Sequence, residues 1–174
     1  MMAPMSEPRH GRKEKFLEVF GQEHERTMRV LRAYPSGKDD LKPHPRVRTA
    51  REVAWTLALG EGLMARALTT GFDWSKPPGK PPEPPGTIGE IADTVERNHQ
   101  RAVEILRGLD EAKLDETVQF FVGPKKLGDY TKHDFLWFLL HDQIHHRGQL
   151  SIYLRMADGR VPSIYGPSED EPWI

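Results

Sequence analysis

The residues best suited to chemistry fall on one stretch, Phe135-Leu-Trp-Phe-Leu-Leu-His141-Asp-Gln-Ile-His145-His-Arg-Gly-Gln149, where an apolar half leads into a histidine-rich half. On a helix, positions four apart share a face. His141 therefore pairs with His145, and Asp142 with His146. Neutral imidazole and carboxylate are ordinary ligands of zinc or nickel, so either pair could supply two positions of such an ion. Continuing the steps of Phe135, Phe138 and Leu139 reaches Asp142, then His145 or His146, then Gln149 and Tyr153. That phase favours Asp142 and His146 as the inward pair, with His145 beside them. The competing reading is a hydrogen-bonded network in which Asp142 pairs with a histidine or with Arg147. An H-E-x-x-H zinc motif is ruled out, because Asp142 follows His141 where glutamate would stand.

Four helical segments must position these residues. The first runs from about Arg12 to Tyr34, with Phe16, Val19, Phe20, Thr27, Val30, Leu31 and Tyr34 on one stripe. The second opens at Thr49-Ala-Arg-Glu52, a capping box, and shows Val53, Leu57, Met64 and Leu68 as its core face, with Gly71 as C-terminal cap. Gly60 and Gly62 weaken that helix and imply a close helix contact or room for a ligand. Lys76 to Gly86 holds three proline pairs and reads as a stiff connecting loop. Thr87-Ile-Gly-Glu90 is a second capping box, opening a third helix with Ile88, Ile91, Val95, Ala102, Ile105, Leu106 and Leu109 inward. Thr117 to Val122 reads as a short extended stretch, part of a two-stranded ribbon or an ordered loop. The last helix starts near Thr131-Lys-His-Asp134, runs to about Ala157 and ends at Asp158-Gly159. Residues 160–174 read as an ordered coil on the bundle, and residues 1–11 as a flexible tail. One all-α domain over 1–174, an antiparallel four-helix bundle with long loops, is the expected architecture.

Composition narrows the function. The chain has 174 residues, no cysteine, eight histidines and a formal net charge of -1. Disulfides, cysteine nucleophiles and thiolate metal sites are excluded. The balanced charge gives no footprint for nucleic acid. The sequence lacks both a membrane-length apolar run and a signal-peptide core, so a cytoplasmic protein without membrane partners is expected. His24 and His99, single histidines on helices, read as surface or hydrogen-bonded, although they could face a site. His10, His44 and His133 read as solvated. Trp55, Trp137 and Phe138 read as core, and Tyr165 and Trp173 as lining a pocket or a dimer seam.

His145-His-Arg-Gly-Gln-Leu150, then Tyr153-Leu-Arg155, the tail Val161-Pro-Ser-Ile-Tyr-Gly-Pro-Ser168 and the helix opening Thr49-Ala-Arg-Glu-Val-Ala-Trp55 resemble the DinB family, within the DinB/YfiT-like superfamily. The resemblance implies a four-helix bundle, a homodimer, and a metal site made of one histidine from the second helix and two, four apart, from the last. Carried over without a gap, the last pair falls on Asp142 and His146, and the second-helix histidine on Thr56. Glu61, further along, could substitute. Shifting the pair to His141 and His145 restores two histidines but breaks the match to Arg147-Gly-Gln149.

The resemblance also implies an enzyme class, metal-dependent transferases that use low-molecular-weight thiols such as bacillithiol or mycothiol. On that reading His146, Asp142, His141 and His145 are the candidate ligands of zinc or nickel. His145 and Gln149 are the candidate catalytic residues, and a small thiol is the partner. The alternative is a non-catalytic, dimeric, stress-related binding module with a degenerate metal site.

Overall fold

The computed structural model describes residues 11–76 and 79–174. The expected tail, residues 1–11, lies outside the described residues except for Gly11. Four helices form the bundle: α1 (Arg12–Arg32), α2 (Ala50–Leu68), α3 (Ile88–Gly108) and α4 (Lys132–Met156). A 3-10 turn, Glu111–Asp115, and an antiparallel hairpin of β1 (Thr117–Gly123) and β2 (Lys126–Thr131) link α3 to α4.

The helix starts are built as their local sequences dictate. Thr49 and Thr87 each accept a hydrogen bond from the N–H three residues on, while Glu52 and Glu90 reach back to the cap N–H. Thr131 caps α4 by accepting from the Asp134 N–H. Gly71, at φ +66°, donates its N–H to the Arg66 carbonyl after α2. At the end of α4 the left-handed residue is Asp158, not the glycine. Gly159 is needed for another reason: a Cβ there would lie 2.2 Å from Leu154 Cδ1 and 3.1 Å from the Leu154 carbonyl oxygen.

Helix directions follow from the connections. α1 and α2 join through a loop at one end, and α3 and α4 through the hairpin at the other. Between α2 and α3 the chain must return along the bundle. An extended proline-rich segment rises ~3.1 Å per residue, so about ten residues cover a helix of α2's length. α2 and α3 therefore run in the same direction. Their starts are tied together where Arg51 donates to the Pro85 carbonyl and the Ile88 N–H to Asp39. α2 packs against α3 and α4, as does α1, leaving α1 and α2 on a diagonal.

Two apolar clusters fill the interior, one at each end. Leu31, Leu57, Ile91 and Leu150 belong to the first, and Phe16, Met64, Leu106 and Leu140 to the second. Between them lies a polar layer to which all four helices contribute.

The C-terminal coil docks on α1 and α4. Asp170 accepts the Val161 N–H at 2.7 Å and pairs with Arg155; Glu171 accepts the Ser163 N–H at 2.8 Å and pairs with Arg29. The Arg155 and Val161 contacts hold the Asp170 carboxyl below its ordinary value, and those of Ser163 and Arg29 do the same for Glu171. With both folded values depressed, this docking is complete above about pH 4 and is lost as pH falls through the lower folded values. In a pH titration of amide resonances, Val161 and Ser163 should keep their hydrogen-bonded shifts at pH 4 and lose them together only at lower pH.

Candidate metal centre

Each helix continues its apolar stripe through the polar layer without changing phase. On α1 the steps run Phe16, Phe20, then Glu23 and His24, then Thr27 and Leu31. On α2 they run Leu57, Glu61, Met64. α3 gives Val95, His99, Ala102, and α4 gives Leu140, Gln143, Arg147, Leu150. Helical periodicity thus drives these polar side chains inward with their apolar neighbours.

Three of them converge. Glu61 is 1% exposed, and His24 and His99 are 9% exposed. His24 Nδ1 lies 3.6 Å from Glu61 Oε1, and His99 Nδ1 lies 3.4 Å from Glu61 Oε2. The two imidazoles stack with centroids 3.7 Å apart. The three ligand atoms all lie within 4.8 Å of one another. His24 Nδ1, Glu61 Oε2 and His99 Nδ1 find no hydrogen-bond partner among the described residues, and neither does Gln143 Nε2. Buried polar atoms are ordinarily satisfied, so three orphaned donor or acceptor atoms facing one point call for an occupant. Two ligands of a tetrahedral ion bound at about 2.1 Å stand about 3.4 Å apart, which fits the separation of His99 Nδ1 from Glu61 Oε2.

A second carboxylate supports the same assignment. His24 Nε2, the nitrogen turned away from the cluster, lies 3.4 Å from Glu96 Oε2. A carboxylate accepting the far N–H of a ligating imidazole fixes its tautomer and its ring orientation. Burial opposes the charged form of His24, but Glu61 and Glu96 outweigh it and raise its pKa.

The polar layer holds a control for this reading. Glu23 is 5% exposed, yet its carboxylate accepts from Arg147 at 2.6 Å, from the Tyr165 hydroxyl at 2.6 Å and from Arg26 at 2.6 Å. Arg147, 2% exposed, also donates to the Tyr165 oxygen, and Arg26 and Arg147 place their guanidinium groups on the Tyr165 ring. Burial alone would raise the Glu23 pKa, but these donors reverse the shift and lower it. One buried carboxylate of the bundle is thus fully partnered by the protein, and the other is not.

The last-helix residues fall elsewhere. The buried face of α4 is set by Leu136, Leu140, Gln143, Arg147 and Leu150, so the inward pair is Gln143 and Arg147 rather than Asp142 and His146. Phe138, an inward step by sequence periodicity, is 38% exposed and packs against Tyr130 of the hairpin. That contact shifts the apparent phase. His141 and His145 are exposed. Asp142 Oδ1 and His146 Nε2 do meet, at 3.4 Å, and His146 Nδ1 lies 3.0 Å from Gln149 Oε1. The Gln149 side-chain nitrogen is 2.9 Å from His145 Nε2. Thr56 faces this group, but the guanidinium of Arg48 stands between them, donating to Thr56 Oγ1 at 2.7 Å and lying 3.4 Å from His146 Nδ1. The Arg48 guanidinium thus links Thr56 to His146 across the gap. Glu61 joins His24 and His99, not this group. His24 and His99 are interior residues, whereas lone helical histidines usually lie at the surface.

The signal for the interior cluster was present in the sequence as three polar residues in phase with apolar stripes. It gave no sign that the three would meet, because that depends on helix directions.

The sequence model of the DinB family matches residues 5–173. Protein YrdA of Bacillus subtilis strain 168, itself uncharacterised, is 29% identical over 126 residues, covering 71% of this chain and 70% of its own. A DinB-like protein of Bacillus cereus ATCC 10987 superposes with a TM-score of 0.72 at 25% identity, covering 87% of this chain and 97% of that one. The DinB-like protein YjoA of Bacillus subtilis gives a TM-score of 0.66 at 19% identity, covering 91% and 99%. The second likeness bears on fold alone.

Removing one partner of a buried ion pair leaves an uncompensated charge and costs about 3–5 kcal/mol. Arg147→Met should therefore lower the unfolding free energy by about 3 kcal/mol, read by urea denaturation, with the loss falling on Glu23 and Tyr165 together.

Proposed function

The chain belongs to the DinB family, and from that membership and the interior cluster we propose that it is a divalent-metal protein whose ion is held by His24, Glu61 and His99. The observation that carries this reading is the set of three buried, unpartnered ligand atoms directed at one point. Two imidazoles and a carboxylate suit zinc, nickel or a similar transition ion.

Three protein ligands leave one position of a tetrahedral ion free. An ion held there would lower the pKa of a water or a small thiol in that position, which is the chemistry a thiol S-transferase needs. The chain's own residues contribute the rest. Glu96 fixes the His24 ring, the stacked imidazoles hold each other's planes, and Phe20, 4.3 Å from the His99 ring, excludes water from that side. The residual exposure of both imidazoles, against almost none for Glu61, supports an approach between α1 and α3.

Asp142, His146, His145 and Gln149 belong, on this reading, to a polar network that Arg48 joins rather than to a second ligand set, and His141 lies outside it against Trp137. The homodimer implied by the family would use the outer face of α4, where Ile152 is 63% and Met156 52% exposed. Among the described residues no helix is long and apolar enough to cross a membrane.

Metal content by plasma mass spectrometry, on tag-free protein dialysed against a weak chelator, tests the assignment. Wild type and His146→Ala should both carry close to one ion per chain, while His24→Ala and Glu61→Gln should carry almost none at unchanged helicity. Loss of metal from His146→Ala alone would move the centre to the last helix. No metal in any protein, including after titration, would sink the metalloprotein reading.

A further inference from the structure

On the outer side of α2 lies a cavity of about 880 Å³ that includes none of the three proposed ligands. A volume of this size suits a drug-sized small molecule. Its walls are Trp55 and Leu63 from α2, Trp74 from the segment after it, and Phe120 and Phe121 from β1, with Pro81 and Pro82 of the proline segment opposite.

The walls are propped open by hydrogen bonds that use up the indole donors. The Trp55 indole N–H donates to the Pro82 carbonyl at 2.8 Å, and the Trp74 indole N–H donates to the Gln119 carbonyl at 2.9 Å. The ring faces are left for apolar contact.

The floor is also left open. Gly60 is tightly approached, since a Cβ there would lie 3.3 Å from Gln143 Nε2. By contrast, a Cβ on Gly62 would meet nothing closer than Asn98 Nδ2 at 3.8 Å. A side chain would thus press on Gln143 at the first glycine and on nothing at the second, and Gly62 lines the cavity.

The charge at the rim is one-sided. Arg66, Lys76 and Lys80 line the cavity against Asp73 alone. Asp73 is hydrogen-bonded by the Ser75 N–H and hydroxyl and also feels the Arg66 charge, and Lys80 is paired with Glu83. Arg66 rests on the Phe72 ring and spends its Nε–H on the Gly71 carbonyl. Among the described residues its two terminal nitrogens make no hydrogen bond, and such a planar fork matches a carboxylate.

We propose that this cavity binds a small amphipathic carboxylate, an aromatic or alkyl body between Trp55, Trp74 and Phe121 with its carboxylate on Arg66. The site is independent of the metal reading, because none of its walls is a proposed ligand. Isothermal titration with naphthalene-2-carboxylate and its neutral carboxamide is the test. The carboxylate should bind at one site, at least about tenfold more tightly than the carboxamide, as a charge-assisted contact implies. Arg66→Gln should bring the two to equal affinity. Gly62→Leu, which fills the floor and strengthens the helix, should abolish binding of both, with circular dichroism unchanged. His24→Ala should bind the carboxylate like wild type. Absence of saturable binding, or binding that survives Gly62→Leu, would overturn the site. Equal affinity of carboxylate and carboxamide for wild type would overturn the anionic ligand.

Discussion

Taking a carboxylate out of water costs several kcal/mol unless a cation and hydrogen-bond donors replace the lost solvation, and this bundle does so twice in one layer. Glu23 and Glu61 lie between the two apolar clusters at 5% and 1% exposure. Much of the remaining architecture serves those two charges. Arg147 enters from α4 and Tyr165 returns from the tail to complete the Glu23 shell. His24 and His99 come from α1 and α3 to meet Glu61, and their geometry stops short of hydrogen bonding. The first carboxylate is neutralised by the chain itself. The second is left without a hydrogen-bond donor from the chain at Oε2.

Helix direction decides which side chains can share that layer. Because α2 and α3 start at the same end, Glu61 and His99, each about halfway along its helix, arrive at the same height. α1 runs opposite to both, and His24 also lies near its middle. The proline-rich return makes this possible. The same return, held to Trp55 through the Pro82 carbonyl, forms one wall of the outer cavity. One connection thus aligns the interior residues and shapes an exterior recess.

What could be read from sequence alone follows from how local each signal is. Capping boxes at Thr49 and Thr87 and the cap at Gly71 concern neighbouring residues, and the structure has all three. The Thr117–Gly123 strand was visible as an extended run, although its pairing with Lys126–Thr131 was not fixed by it. The phase of α4 misled because Phe138 packs on the hairpin, outside the bundle. His24, Glu61 and His99 each sat on an apolar step, but a single helix gives no reason to connect them. Their meeting is a property of topology. Arg48 in front of Thr56 and His146 was equally out of reach, since its side chain crosses from a loop.

The Glu23–Arg147 pair spans 124 positions, and that distance has a meaning during synthesis. At about 5–20 residues per second, Glu23 is added to the chain roughly 6–25 seconds before Arg147 is. During that interval Glu23 has Arg26 of its own helix as partner, but neither Arg147 nor Tyr165. The Glu23 shell can therefore close only once the last helix and then the tail have been made, whereas the residues around Glu61 are all present before α4 begins.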